Sequence, residues 1–205
     1  MHEVNLMLAK NLDLKTLYLL YKFLTNLDED TRRNFHSPII YPFYKNPLSL
    51  INYMRLFIST IISRQRLIKT FPRLACITVT AKSNHSIQGF TYLTIKRSFA
   101  KCYESELGII VRKNFREKGI GNMLLKTLID EAVRTDVDKI TLNVLKDNIP
   151  AINLYRKHGF KTLTETEELF DGKCLNALCM ELCPTVRIGK EILTRHKRQG
   201  MLCLM

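Results

Sequence analysis

The sequence predicts an α/β protein of the α+β type, with a mixed, mostly antiparallel central sheet and helices on both faces. The hydrophobic pattern has a helical period in the first part of the chain and becomes strand-like after Pro72. Three β-rich runs then follow one another with short links, as in an antiparallel meander. The remaining runs alternate between helix and strand. The resulting order, β-β-β-α-β-α-β-β, places helices against a single sheet.

The composition supports one globular domain. The 205 residues are 46% hydrophobic and 25% charged, which provides enough apolar material for a sizeable core. No run approaches the roughly 18–20 apolar residues of a membrane span, and the N-terminus lacks the basic start of a secretory signal. We therefore expect a cytoplasmic protein with no membrane partner.

The chain is strongly basic, with a net charge of +13. This charge indicates either a solvated basic surface or a general attraction to polyanions. The basic residues are scattered and form no recognisable nucleic-acid-binding motif, so no specific nucleic-acid partner is predicted. The six cysteines and five histidines match no zinc-ligand spacing, so no metal is predicted either.

The first part of the chain reads as helical. Residues 14–27 carry leucines and a tyrosine at helical spacing, and residues 48–63 form a second apolar run with the same period. Between them, residues 35–46 contain two prolines and read as a loop.

The second part supplies the sheet. Strands are predicted at 74–80, 87–95 and 104–111, separated by a polar, turn-like segment at 81–86 and a link at 97–103. A helix at 122–134, a strand at 140–144 and a short helix from 148 or 149 to Gly159 follow. A closing hairpin is predicted at 160–168 and 174–182, around the turn Asp171-Gly172. The basic residues from 184 onward form a C-terminal extension, for which a helix is one interpretation.

The loop at residues 116–121 reads Arg-Glu-Lys-Gly-Ile-Gly and joins a predicted strand to a predicted helix. Backbone N–H groups at a helix start carry partial positive charge, and glycine lets a phosphate approach them closely. The loop therefore predicts an anion-binding site. A Walker A loop is excluded because no Gly-x4-Gly-Lys-Ser/Thr occurs, and a Rossmann fingerprint is excluded because Leu124 stands where its third glycine would be.

The Arg-x-x-Gly-x-Gly loop, followed by Asn148, Tyr155 and Gly159-Phe160, resembles the GNAT superfamily of N-acetyltransferases. The resemblance covers roughly residues 74–182 and implies that acetyl-CoA is the cosubstrate. It implies one GNAT-like domain at 1–183, in which residues 1–72 form a helical acceptor side and residues 73–183 an acetyl-CoA-binding core, followed by the basic extension at 184–205. The implied reaction moves an acetyl group to a primary amine by direct transfer through a tetrahedral intermediate.

The resemblance also implies roles for individual residues. Residues 117–122 would bind the cofactor pyrophosphate, and backbone groups of residues 109–111 would pair with the pantetheine arm. Tyr155 would be the general acid that protonates the departing thiolate. Asn148 would contact the cofactor, act as a helix N-cap, or do both. The implied cofactor-binding residues are Ile109, Ile110, Val111, Arg116, Glu117, Lys118, Gly119, Ile120, Gly121, Asn122, Asn148 and Tyr155.

The general base is less clearly indicated. Some GNAT members that acetylate protein N-termini carry a glutamate five residues before the asparagine, where this chain has Asn143. The remaining candidates are Glu106 and Glu104, which share one face of the strand leading to the loop. For both residues, a plain surface carboxylate stays open as the alternative.

Two function classes follow from these observations. The first is an N-acetyltransferase whose acceptor is a small-molecule amine or a protein amine. The second is a non-catalytic GNAT-fold module that binds acyl-CoA, or that uses its basic surface to bind nucleic acid or a partner. The sequence leaves the acceptor, the formation of a homodimer and the role of the extension open.

Overall fold

A computed structural model describes residues 5–8, 14–34, 74–83, 86–97, 103–135, 137–170, 173–184, 186–188 and 191–193. The loop predicted at 35–46, the helix predicted at 48–63 and the turn predicted at 171–172 lie outside the described residues. No helix in the described ranges is long and apolar enough to cross a membrane.

Seven strands form one sheet in the order β1-β2-β3-β4-β5-β7-β6. They are β1 (Asn5–Leu8), β2 (Leu74–Ser83), β3 (Ser86–Arg97), β4 (Tyr103–Val111), β5 (Lys139–Leu145), β6 (Lys161–Phe170) and β7 (Lys173–Leu182). Only β4 and β5 pair in parallel, and all other neighbours are antiparallel. The prediction of a mixed, mostly antiparallel sheet is confirmed.

In the described ranges, four helices accompany the sheet, together with a short 3₁₀ turn and a separate small hairpin. The helices are α1 (Leu14–Thr25), α2 (Glu29–Asn34), α3 (Ile120–Arg134) and α4 (Ile149–Lys157). The 3₁₀ turn spans Lys113–Phe115, and the hairpin consists of β8 (Val186–Ile188) and β9 (Glu191–Leu193).

The structure corrects several of the predicted elements. In the extension after residue 184, the described segments 186–188 and 191–193 form the β8–β9 hairpin, where a helix was one interpretation. Strand β1 was not predicted, since four residues are too few to show a period. The segment 81–83, predicted as a turn from its polarity, belongs to β2, because pairing with β3 continues there through a register shift. Helix α1 ends at Thr25, two residues earlier than predicted, and α3 begins at Ile120, two residues earlier than predicted.

Helices pack on both faces of the sheet. Leu124 and Ile120 of α3 face the position where Gly89 of β3 lacks a side chain, and the core on this face continues through the fully buried Leu93. Successive strand residues alternate between faces, so Phe90 and Tyr92 lie on the opposite face. Helix α1 lies against β3 and buries Phe23 and Leu24 completely. The predicted two-sided covering is therefore confirmed.

Strands β4 and β5 remain paired over a short distance only. Their register joins Glu104 to Lys139, Ser105 to Ile140 and Glu106 to Thr141, and it ends there. Side chains reinforce this junction, since Ser105 Oγ donates to the Lys139 carbonyl at 2.8 Å and Thr141 Oγ1 donates to the Ser105 carbonyl at 3.0 Å. Beyond Glu106, β4 continues to Val111 with β3 as its only partner strand. The sheet therefore opens between β4 and β5.

Candidate active site

An open cleft with a volume of about 470 Å³ lies where β4 and β5 separate. Several separate segments line it: the strands β3, β4 and β5, the loop before α3, the helices α2 and α4, and the outer strand β6. The lining residues are Thr31, Asn34, Tyr92, Glu106, Leu107, Gly108, Ile109, Ile110, Val111, Arg116, Glu117, Gly121, Asn143, Val144, Asn148, Pro150, Ala151, Tyr155 and Glu168. Most of the residues that the sequence singled out for the cofactor thus meet in one place, together with Glu106.

The cleft passes through the sheet from one face to the other. Leu107 belongs to the core under α3, and Ile109 and Val111 pack against that core. Glu106 alternates with these residues, so its side chain lies on the opposite face, beside Asn143 of β5. A ligand in the gap can therefore be reached from two sides.

The open edge of β4 presents backbone groups of alternate residues. Three hydrogen bonds join β3 to β4 and the residue after it. Thr91 Oγ1 and Thr94 Oγ1 of β3 donate to the carbonyls of Gly108 and Glu106, respectively. Arg112 N–H, just after β4, donates to the Gln88 carbonyl of β3. Even-numbered residues of β4 are thus directed to β3, and by alternation the backbone groups of Ile109 and Val111 are directed into the gap.

This alternation narrows the prediction for the pantetheine-binding strand. The backbone groups of Ile109 and Val111 are directed to the open edge, and Arg116 Nε donates to the Val111 carbonyl from that side at 3.3 Å. The backbone groups of Ile110 are directed to β3 instead, because it lies between two residues that are directed to the gap. The sequence could not show this, since pairing direction depends on the partner strand.

The loop before α3 leaves the helix N-terminus open. Gly119 is the N-cap, with φ of 78° and no side-chain hydrogen bond, and Glu117 also has a positive φ of 60°. The first N–H groups of an α-helix have no acceptor within the helix, so this end offers donors to an anion. Lys118 does not line the cleft; its Nζ donates to the Asn114 carbonyl at 2.9 Å and lies 5.3 Å from the centre of the Phe115 ring.

Arg116 connects the loop to α2. Its Nη1 donates to Asp30 Oδ2 at 2.8 Å, and its Nη2 donates to Thr31 Oγ1 at 2.6 Å. The sequence predicted Arg116 as a cofactor contact, but its charge is paired with a carboxylate 86 residues away. A second ion pair, between Arg33 Nη2 and Asp147 Oδ2 at 2.5 Å, holds the other end of α2 to the segment before α4. The pairs are partly exposed, so each contributes at most about 1 kcal/mol to stability.

Helix α4 brings two of the predicted residues to the cleft. Asn148 is its N-cap and accepts from the Ala151 N–H at 3.4 Å. Tyr155 is 6% exposed, and its ring centre lies 5.7 Å from that of Phe160. Burial raises the pKa of Tyr155 well above its ordinary value, because the phenolate would lose its hydration. The tyrosine is therefore protonated throughout the neutral range.

Two glutamates line the cleft, and one of them was not predicted. Glu106 is half-buried on β4, and no described residue forms an ion pair with it. Glu104, the other candidate base, lies two residues earlier on β4, and its side chain lies outside the described residues. The unpredicted residue is Glu168 of β6, whose Oε1 accepts from Asn143 Nδ2 at 2.6 Å.

The comparisons with known proteins decide the family. A sequence model of the Acetyltransferase (GNAT) family matches residues 50–160, more than half of the chain. The chain belongs to this family. The family consists of acetyl-CoA-dependent acyltransferases, and membership confirms the resemblance that rested on the 116–121 loop and on Asn148, Tyr155 and Gly159.

Individual GNAT relatives are more distant. The chain is 30% identical over 78 residues to the L-amino acid N-acetyltransferase AaaT of Escherichia coli (strain K12). The matched segment covers 37% of this chain and 47% of that protein. The chain spans less than half the length of the curated relatives it matches.

Among the described residues, no group of three or more His, Cys, Asp or Glu side chains could hold a metal ion.

Solved structures share the GNAT fold at low identity. A GNAT acetyltransferase from Streptococcus pneumoniae superposes with a TM-score of 0.66 and 21% identity, over 87% of this chain and 99% of that chain. A phosphinothricin acetyltransferase from Sinorhizobium meliloti, solved in complex with acetyl-CoA, superposes with a TM-score of 0.62 and 17% identity, over 88% of each chain. Similarity at this level establishes the fold alone.

A contact joins α3 to the residue at the C-terminal end of α4. The His158 Nε2 atom lies 3.0 Å from Oδ1 of Asn122, one of the predicted pyrophosphate-binding residues. Partial burial lowers the pKa of His158, and the nearby charges of Lys157 and Lys126 lower it further. The neutral imidazole is therefore the form that the folded state prefers.

This shift predicts that acid destabilises the protein through His158. Because the pKa is lower in the folded state than the ordinary value of about 6.5, the unfolded state binds more protons below that pH. The resulting loss of stability is absent above about pH 6.5, grows as the pH falls and is complete below the folded-state pKa. The free energy of unfolding, measured in urea from about pH 7 to about pH 5, should fall less for His158→Gln than for the wild type. Lys126→Gln should reduce the fall only partly, and identical slopes for His158→Gln and wild type would contradict the assignment.

Proposed function

We propose that this GNAT protein transfers an acetyl group from acetyl-CoA to a primary amine by direct attack through a tetrahedral intermediate. The observation that carries the proposal is the separation of β4 and β5. It leaves the N–H and C=O of Ile109 and the N–H of Val111 on the open edge of a cleft that also contains the protonated Tyr155. Family membership supports an enzyme over a non-catalytic binding module.

The residues present fit acetyl-CoA along the length of the cleft. The N-terminus of α3 carries no side-chain cap, so its N–H groups are suited to the pyrophosphate. Gly121 allows close packing there, because a Cβ at this position would lie 3.2 Å from Leu154 Cδ2. The open edge at Ile109 and Val111 suits the two amides of the pantetheine arm, since peptide groups pair with amides as a neighbouring strand would.

The same edge supplies a donor for the reaction itself. The N–H group that Ile109 or Val111 directs into the gap can donate to the thioester carbonyl oxygen. This donation becomes stronger as negative charge develops on that oxygen in the tetrahedral intermediate. The strand is fixed by β3 on its other side, so the donor needs no reorganisation during the reaction.

Tyr155 is proposed as the general acid. The thioester supplies a thiolate leaving group when the intermediate breaks down, and that sulfur requires a proton. Burial keeps the Tyr155 phenol protonated, and the same low-polarity surroundings raise the proton affinity of a thiolate formed beside it. The proton is therefore available at the sulfur while the C–S bond breaks.

Glu106 is proposed to accept the proton of the attacking amine, directly or through water. It lines the cleft at the position where the pairing of β4 with β5 ends, and Glu104 lies two residues further back on the same strand. Amines with a pKa near 10 are mostly charged at neutral pH, so the attacking amine must lose a proton before or during attack. The acceptor is a small-molecule or protein amine.

Binding of CoA tests the donor site. A ligand that binds only the folded state, supplied at about 100 times its dissociation constant, should raise the free energy of unfolding by roughly 2.7 kcal/mol. Gly121→Asp should abolish this shift, because its charge lies against the pyrophosphate. Gly121→Asn has the same size without the charge and should retain more of the shift. A melting temperature of the wild-type protein that does not respond to millimolar CoA would exclude the donor site.

Tyr155→Phe tests the general acid. The turnover number should fall by roughly 10²- to 10⁴-fold, and CoA affinity should stay nearly unchanged, because the hydroxyl acts only as the thiolate departs. The pKa of Tyr155 is raised, so the wild-type rate should show no loss from tyrosine ionisation up to about pH 10. Full activity of the phenylalanine variant across this pH range would assign the proton to another group or to water.

Glu106→Gln and Glu104→Gln form a matched pair for the base. If Glu106 accepts the amine proton, Glu106→Gln should flatten the acid limb of the pH–rate profile, and Glu104→Gln should leave that limb in place. Profiles are to be recorded as kcat/KM, because this parameter reports on the free enzyme. If both variants follow the wild-type profile, the amine arrives neutral and the enzyme acts by positioning its substrates.

A further inference from the structure

The charged residues that line the cleft are mostly acidic, whereas the chain as a whole is basic. The chain has a net charge of +13, but the charged residues that line the cleft are Glu106, Glu117, Glu168 and Arg116. The single cation among these lining residues, Arg116, is paired with Asp30. The described part of the cleft is therefore locally acidic within a basic protein.

The position of Glu168 requires a specific bend of the sheet. Asn143 of β5 pairs with Cys179 of β7, whereas Glu168 of β6 pairs with Leu175, which lies four residues before Cys179 on β7. At about 3.3 Å per residue this offset is about 13 Å in a flat sheet. The hydrogen bond of 2.6 Å between Asn143 and Glu168 therefore shows that the β6–β7 hairpin curls over the face that carries Glu106.

Carboxylates around the cleft fall into two groups. Those at its margin have cationic partners: Asp30 pairs with Arg116, Asp147 with Arg33, and Glu165 with Lys146 at 2.5 Å. By contrast, no described lysine or arginine forms an ion pair with the glutamates that line the cleft, Glu106, Glu117 and Glu168. Asn143 donates a neutral N–H to Glu168, which fixes the carboxylate in place and leaves its charge uncompensated.

We propose that Glu168, positioned by Asn143, binds the ammonium group of a small cationic acceptor that carries no carboxylate next to its amine. This inference rests on the acetyltransferase function proposed above. A carboxylate in the cleft is attracted to an ammonium and repels an acceptor carboxylate, and in the described residues the cleft offers no uncommitted cation to hold one. The basic surface repels large polycations at long range, so a small cation is the partner that the local acidic face favours.

Glu168 and Glu106 then have separate tasks. Glu106 extends from β4 at the point where the sheet opens, and it is proposed to take the proton of the attacking amine. Glu168 comes from the curled hairpin and holds the acceptor before that proton is lost. Asn143 is a positioning residue, because it acts on the acceptor only through the orientation of the Glu168 carboxylate.

The test uses S-alkyl derivatives of CoA as probes, because the CoA part places the S-linked chain in the cleft. The ammonium probe is an S-(ω-aminoalkyl)-CoA, the neutral probe is an S-alkyl-CoA of equal chain length, and the anionic probe is an S-(ω-carboxyalkyl)-CoA. Several short chain lengths are compared by titration calorimetry. The wild-type protein should bind the best ammonium probe about 10- to 100-fold more tightly than its neutral counterpart, as expected for a hydrogen-bonded charge pair. The anionic probe should bind most weakly.

Variants assign this preference to Glu168. Glu168→Gln keeps an oxygen for the Asn143 hydrogen bond and should lose the preference, while binding of the neutral probe stays unchanged. Glu167→Gln removes an exposed charge of the same strand that does not line the cleft, and it should behave as wild type. Asn143→Ala should weaken the ammonium probe selectively.

The outcomes separate this inference from the proposed function. Equal binding of the ammonium and neutral probes by the wild type, or a preference that survives in Glu168→Gln, would overturn the inference while leaving the donor site intact. Tightest binding of the anionic probe would also overturn it. Failure of even the neutral probe to bind would overturn the proposed function, and the inference with it.

Discussion

The short parallel pairing of β4 with β5 is the constraint on which the rest of the site depends. Two side-chain hydrogen bonds, from Ser105 and Thr141, hold the strands together at this junction. Beyond it, β4 is held straight by β3 alone, and the ring of Tyr92 occupies the space that a side chain at Gly108 would need. Because the strands part, one backbone edge lacks a partner, and an unpaired edge is stable only where water or a ligand satisfies it. The gap thus creates the cleft and leaves backbone groups there that water or a ligand can satisfy.

The gap is closed on its sides by contacts between segments that are distant in sequence. Arg116 joins the loop, the end of β4 and α2, and Arg33 joins α2 to the segment before α4. Each ion pair is weak because it is partly exposed. Together they connect α2, which contributes Thr31 and Asn34 to the cleft, with the loop before α3 and with the segment before α4.

The sequence predicted the parts of the site that depend on local chemistry. The loop at 116–121 and the N-cap Asn148 are local signals, and the structure places both at the cleft. The sequence could not predict features that depend on tertiary geometry. These are the ion pair of Arg116 with Asp30, the direction of the Ile110 backbone groups and the curl of the hairpin that brings Glu168 to Asn143. Helix α2 was missed because its six residues are polar and show no apolar period, although Asp28 caps it through the Thr31 N–H.

The curl of the β6–β7 hairpin also changes the meaning of Asn143. In sequence, an amide at this position removes a carboxylate that some relatives place there. In the structure, the amide instead holds a carboxylate that comes from another strand, so a negative charge returns to the same face of the cleft. An amide is suited to this arrangement because a second carboxylate at 143 would repel Glu168, whereas an N–H donor orients it at little electrostatic cost. The curl of the β6–β7 hairpin and the neutral amide of Asn143 thus place the negative charge of Glu168 on this face of an otherwise basic protein.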